Sequence, residues 1–228
     1  MVRRILVISP HNDDETLGVG ATIAKHVELG DEVFVSTMTS IGEDHPTMPS
    51  NKPEIRRETK AAMEILGVKE QNIIFCDLPN LLVPHLPIYE VNKVINSVIE
   101  RVQPEILYVP FIYDLHKDHR EILYAAQVAA RTCTPTGRKI REIYMYETLS
   151  ETHWNIDHVE GAFVPNAFNE VSRAQLDKKI EAMRAYRSQL KQYPDVRSIE
   201  AIKALAVFRG STMAMNYAEA FVLVRKFL

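Results

Sequence analysis

Short apolar, β-branched runs alternate with stretches of helical periodicity along most of this chain, and few folds accept that order. Ile5–Ser9, Glu32–Met38, Asn72–Cys76, Glu105–Val109 and Ile143–Tyr146 read as strands. Between them, Leu17–Leu29 (closed by Gly30), Glu54–Leu66 (ended by Gly67) and Asp118–Arg131 read as helices. The clearest helix has Ile88, Val91, Val94, Ile95, Val98, Ile99 and Val102 at helical spacing. The order predicts an α/β fold: a Rossmann-like, mostly parallel sheet with helices on both faces and right-handed crossovers. After about Glu147 the alternation weakens. Val171–Leu190 and Ile199–Phe208 are predicted helices, and Ala220–Val224 a last strand. No repeat or linker divides the chain, so 1–228 is expected to be a single domain with a less regular C-terminal part. Thr39–Pro53 and Asp77–Pro87 are expected to be loops, and 147–168 an irregular connection.

Composition excludes several classes of partner. Apolar residues make up 46 % of the chain, enough for a core, and the formal charge of −3 offers no basic surface for nucleic acid. No stretch approaches the ~20 apolar residues of a membrane helix. Arg3 and Arg4 precede an apolar run too short for a signal segment, so a cytoplasmic location is expected. Cys76 and Cys133 are expected to be reduced core residues.

Two constellations carry the chemistry. The first is His11-Asn12-Asp13-Asp14-Glu15, directly after the first strand and before the first helix. The second is Asp114-Leu115-His116-Lys117-Asp118-His119, just beyond strand Glu105–Val109. Turns at the C-terminal ends of parallel strands are where α/β folds place their sites. If both turns share one sheet edge, His11, Asp14 and His119 converge. Two imidazoles and one carboxylate suit Zn²⁺ or another divalent transition metal, and leave a coordination position open.

Simpler readings compete. Asp13, Asp14 and Glu15 could only complement a helix dipole, Asp118 could only cap its helix, and His119 could be a satisfied polar residue. A Mg²⁺-dependent phosphatase or phosphotransferase would use Asp13 and Asp14, but Mg²⁺ prefers oxygen ligands to imidazole. A sugar-binding module without catalysis is a third class. Gly18-x-Gly20 invites a dinucleotide reading, yet the three preceding acids would repel a pyrophosphate. His26, His45, His85, His153 and His158 are expected on the surface or in loops, while Trp154 could be a substrate platform or a buried structural residue.

The paired motifs resemble those of the LmbE-like, or PIG-L, family of zinc-dependent N-acetyl-sugar deacetylases. His11–Glu15 is similar to the family's His-Pro-Asp-Asp-Glu turn, with Asn12 in place of proline. His116–His119 matches its His-x-Asp-His, and Thr39–Glu43 loosely matches its Thr-x-Gly-Glu. Arg56-Arg57-Glu58 through Leu66-Gly67-Val68, and Tyr217-Ala218-Glu219-Ala220-Phe221, follow the family pattern in order. The resemblance implies His11, Asp14 and His119 as metal ligands and Asp13 as general base. It implies His116 as oxyanion stabiliser or acid, oriented by Asp118. On the substrate side it implies Arg56 or Arg57, with Glu43 and Asp114. The implied partner is a small N-acetylated sugar, and a homo-oligomer is compatible, with Phe221–Leu228 available for an interface.

Amide hydrolysis gives these residue types a reason to occur together. A carboxylate beside the attacking water takes its proton, worth ~10²–10⁴ in rate. A protonated His116, favoured by Asp118 or Asp114, would stabilise the oxyanion.

Overall fold

The computed structural model describes all residues except 1, 43–45 and 47, and the side chains of Asp157 and His158 also lie outside the description. Seven strands form one sheet: β1 (Arg4–Ser9), β2 (Glu32–Ser40), β3 (Ile73–Pro79), β4 (Ile106–Pro110), β5 (Glu142–Tyr146), β6 (Ala167–Glu170) and β7 (Ala218–Lys226). The helices are α1 (Asp14–Glu28), α2 (Lys52–Leu66), α3 (Ile88–Val102), α4 (Lys117–Ala129), α5 (Pro135–Lys139), α6 (Asp157–Glu160), α7 (Arg173–Ala185) and α8 (Ile199–Ser211).

The strand order is β3-β2-β1-β4-β5-β7-β6. β1 to β5 are mutually parallel, and β7 runs antiparallel between β5 and β6. The connections leave β1 toward one edge and β4 toward the other. The crevice between β1 and β4 is therefore the switch point at which such sheets place their ligands.

Alternation along β1 divides the core. Ile5 and Val7 pack with α1, α2 and α7 through Leu17, Ile23, Ala62, Met63 and Met183. Leu6 and Ile8 face α3 and α4 through Ile95, Ile99, Ile122 and Leu123. Both faces are covered, so Ile5–Ile8 of β1 is apolar throughout rather than alternating, as buried parallel strands are.

The glycines of α1 serve packing, not a nucleotide. A Cβ at Gly18 would meet Cδ2 of Tyr146 at 2.3 Å, and one at Gly20 would meet Cγ of Lys179 at 2.9 Å. Lys179 crosses Gly20 to donate to Leu17 O (2.7 Å) and to Glu219 Oε1 (2.5 Å). Glu219 in turn accepts the amides of Ala21 and Thr22. The late Tyr-Ala-Glu motif thus ties the last strand to the first helix.

Several expectations need correction. Helix α7 ends at Ala185, because Tyr186 turns inward and is buried. The short strand β6 and helix α5 were not predicted; β6 is four residues of mixed polarity at a sheet edge. Cys133 is exposed and Cys76 only partly buried. His26 is buried against Asp31 and Tyr108, whereas Trp154 is 61 % exposed. Phe221–Lys226 lies within β7 and pairs with β5, while β6 reaches only as far as Phe221, and Val224, Phe227 and Leu228 are exposed. Among the described residues, no helix is long and apolar enough to cross a membrane.

Candidate metal centre

The turn after β1 is fixed from behind. Glu15 is fully buried, accepts from the hydroxyls of Tyr186 (2.6 Å) and Thr16 (2.8 Å), and lies 2.8 Å from Ser9 Oγ. Asn12, where proline was expected, is buried and donates to Thr59 Oγ1 on α2 at 2.7 Å. A hydrogen bond replaces ring stiffness. Asp13 occupies the N-cap position of α1 at φ 113°, but its carboxylate makes no cap bond.

The switch-point crevice brings the two motifs together. His11 Nδ1 lies 3.2 Å from His119 Nε2 and 3.6 Å from Asp14 Oδ2, and His119 Nε2 lies 3.1 Å from the same oxygen. Tetrahedral Zn²⁺ with ligands at 2.0–2.1 Å requires donor separations of about 3.3 Å, so this triangle has the size of one tetrahedral face.

Each imidazole is braced by a carboxylate on its far nitrogen. Asp118 Oδ2 is 3.1 Å from His11 Nε2 and also accepts the Leu81 amide. Asp114 Oδ2 is 2.8 Å from His119 Nδ1, and its Oδ1 accepts from Thr152 at 2.6 Å. Such pairs are the usual outer support of metal-binding histidines. Neither Asp13 nor Asp118 spends its side chain on capping, and His119 is completely buried among acids. The donor set fits a borderline transition metal and not Mg²⁺.

The electrostatics match. Burial opposes ionisation of Asp14, but His119 and His11 hold it far below the ordinary carboxylate range. Burial likewise opposes a charge on His119, which Asp14 and Asp114 push well up. Asp13 is pushed up by burial and by Asp14, against the pull of Arg197.

Four expectations about individual residues change. The environment of His116 works against the expected positive charge. Burial and His11 push it down to about 4, against a smaller upward pull from Asp118. Its Nδ1 accepts the Asp118 amide at 3.2 Å, so the neutral ring keeps its proton on Nε2. Asp118 orients His116 through its backbone, while its carboxylate serves His11. Asp114 is 0 % exposed behind His119, out of a substrate's reach. Arg57 faces a separate hollow beside Ala61 and Arg184, and Arg56 is committed to Asp77 at 2.6 Å over the ring of Phe75. Glu43 lies outside the described residues.

His11, Asp13 and His116 open into a cavity of about 250 Å³. Its lining mixes polar side chains, among them Asn12, Glu151, Gln189 and Arg197, with apolar ones such as Ile41 and Leu81. Arg197, Glu151 and Gln189 were not foreseen. They come from the irregular C-terminal third, and only Ser198, the N-cap of α8, left a readable signal nearby. Among the described residues, another cavity of about 250 Å³, at Arg3, His26, Tyr108 and Tyr144, has no converging ligand set.

Comparison with known proteins agrees with this geometry. The model of the family described as GlcNAc-PI de-N-acetylase (PIG-L) matches residues 6–130. Over 235 residues the chain is 27 % identical to the diacetylchitobiose deacetylase of Thermococcus kodakarensis, covering 98 % of this chain and 84 % of that protein. The structure of N,N'-diacetylchitobiose deacetylase from Pyrococcus horikoshii superposes with a TM-score of 0.75 at 22 % identity, covering 97 % of this chain and 84 % of that one. The hydratase GalB of Pseudomonas putida KT2440, which acts on 4-carboxy-2-hydroxymuconate, superposes with a TM-score of 0.77 at 23 % identity, covering 100 % and 98 %. The shared architecture therefore hosts more than one chemistry, and function must rest on the site.

Proposed function

The chain belongs to the PIG-L (GlcNAc-PI de-N-acetylase) family, and on that premise we propose that it is a metal-dependent hydrolase that removes the acetyl group from an N-acetylated amino sugar or its conjugate. One observation carries the reading: His11, Asp14 and His119 form a tetrahedral-face triangle, with both imidazoles braced by acids. His11, Asp14 and His119 would hold a zinc-type cation, which would supply Lewis acidity to acidify water and polarise a carbonyl.

The residues of the chain do the rest. Asp13, adjacent to a ligand in sequence and open to the cavity, takes the proton of the attacking water. Neutral His116 donates its Nε2 proton as a hydrogen bond to the carbonyl oxygen while negative charge builds there. Asp13, protonated in the first half of the reaction, passes that proton to the amide nitrogen as the C–N bond breaks. The products are acetate and a free amine. The carboxamides Asn12, Asn51, Asn80 and Gln189 suit a substrate rich in hydroxyls.

Acetate release from a panel of N-acetylated mono- and disaccharides, before and after chelation and after restoring Zn²⁺, tests the reading. Release that stops with chelation and returns with metal supports it. Release indifferent to chelation removes the metal, and no release from any acetylated sugar removes the function.

A further inference from the structure

We propose that Arg197 is a positioning residue for the general base, and that residues 186–198 form a third wall of the active site built around the first motif. The inference rests on the reading of Asp13 as that base.

Among the described residues, the hydrogen bond donated to the Asp13 carboxylate comes from Arg197: Nε lies 3.2 Å from Oδ2. Asp13 stands next to two other buried acids, Asp14 and Glu15, on a turn that leaves its side chain uncapped. A carboxylate so placed needs an external partner to fix which oxygen faces the cavity. Arg197 supplies it with a planar guanidinium, whose Nη2 lies 3.9 Å from Glu151 Oε1 on the cavity side.

Arg197 is itself held firmly. Its amide donates to Asp195 Oδ1 at 2.8 Å, and Ser198, the next residue, caps α8. Two further contacts bind the same segment to the motif elements. Tyr186 donates to Glu15 at 2.6 Å, and Ser188 donates through both its amide and its hydroxyl to Glu58 of α2 (2.9 and 2.6 Å). One segment therefore reaches the β1 turn at Glu15 and Asp13, and α2 at Glu58. All of it lies outside the stretch matched by the family model. That arrangement describes a built wall, not a loop resting on the site.

A double-mutant cycle separates this role from general stabilisation. Arg197→Ala and Arg197→Lys are compared with Asp13→Asn and with the Arg197→Ala/Asp13→Asn double variant, all loaded with Zn²⁺. Metal content and melting temperature are measured alongside acetate release. We expect Arg197→Ala to lower kcat about 10²-fold with KM nearly unchanged, the loss typical of a catalytic group displaced by about 1 Å. Millimolar guanidinium should restore part of that loss, and Arg197→Lys should lie between wild type and alanine. The double variant should be no slower than Asp13→Asn alone.

The inference is overturned if Arg197→Ala keeps kcat within about twofold, well inside the loss expected for a displaced base. It is overturned equally if only KM moves, or if the two substitutions multiply. Should Arg197→Ala fail to fold, the same comparison is read from Arg197→Lys. An Asp13→Asn variant as fast as wild type would instead sink the proposed mechanism, a different and distinguishable failure.

Discussion

Nε2 of His11 lies 3.1 Å from Oδ2 of Asp118, and this contact decides which ring nitrogen of His11 is left for a cation. With Nε2 donating to the acid, Nδ1 keeps its lone pair and faces His119 and Asp14. Asp118→Ala should therefore weaken metal binding about 10- to 100-fold without removing any ligand. Competition against a chromogenic chelator measures this, with the melting temperature of the metal-free protein as a control for folding. Unchanged affinity would show that the brace does not matter.

Asp13 is next to Asp14 in sequence but lines the cavity and accepts from Arg197. Asp13→Asn is expected to keep one equivalent of metal while turnover falls by ~10² or more, the scale of general-base help. Elemental analysis and acetate release on the same sample check both halves. Loss of the metal together with the rate would reassign Asp13 as part of the ligand set.

Gly18 lies flat against the ring of Tyr146, whose hydroxyl donates to Ile8 O at 2.9 Å and so cannot swing aside freely. Gly18→Ala should destabilise the protein by about 1–3 kcal/mol through overpacking, despite the better helix propensity of alanine. Urea denaturation tests this, and a variant as stable as wild type would contradict the tight contact.

His26 predicts a pH dependence away from the metal. Burial is the largest influence on its ring and lowers its pKa below the ordinary 6.5; Arg3 and Lys25 add to this, and Asp31 opposes it. Its ring nitrogens face Asp31 and the hydroxyl of Tyr108. The folded state thus binds this proton less readily than the unfolded chain. Its contribution is fully present above pH 6.5 and is lost as pH falls from there through the lower folded value. The stability gap between wild type and His26→Gln should narrow between pH 7.5 and about 5.5. Paired denaturation curves at the two pH values decide it; a gap that widens on acidification would reverse the sign.

Much of this was legible in the residues, and the exceptions have physical causes. Helix α3 was readable end to end because one face is apolar at every turn. The convergence of His11, Asp14 and His119 was readable because strand ends in a parallel sheet share an edge, so two local motifs suffice to bring three side chains together. Arg197 was not, since a lone arginine in a polar stretch has no period and its partner is far away in sequence. The role of Asp114 was misjudged because spacing cannot tell which side of His119 an acid will face. His116 was expected to be charged from its acidic neighbours, but burial and the adjacent imidazole His11 outweigh them.

Asp13 holds a left-handed backbone at φ 113°, a conformation costing roughly 1–3 kcal/mol for a residue with a side chain, and it adds a third acid to a buried corner. A chain shaped for endurance alone would put glycine there. Asp13→Gly should accordingly melt at a higher temperature while abolishing acetate release. Resilience and turnover then pull against each other at one peptide unit, and keeping the acid is the mark of a protein held to its chemistry.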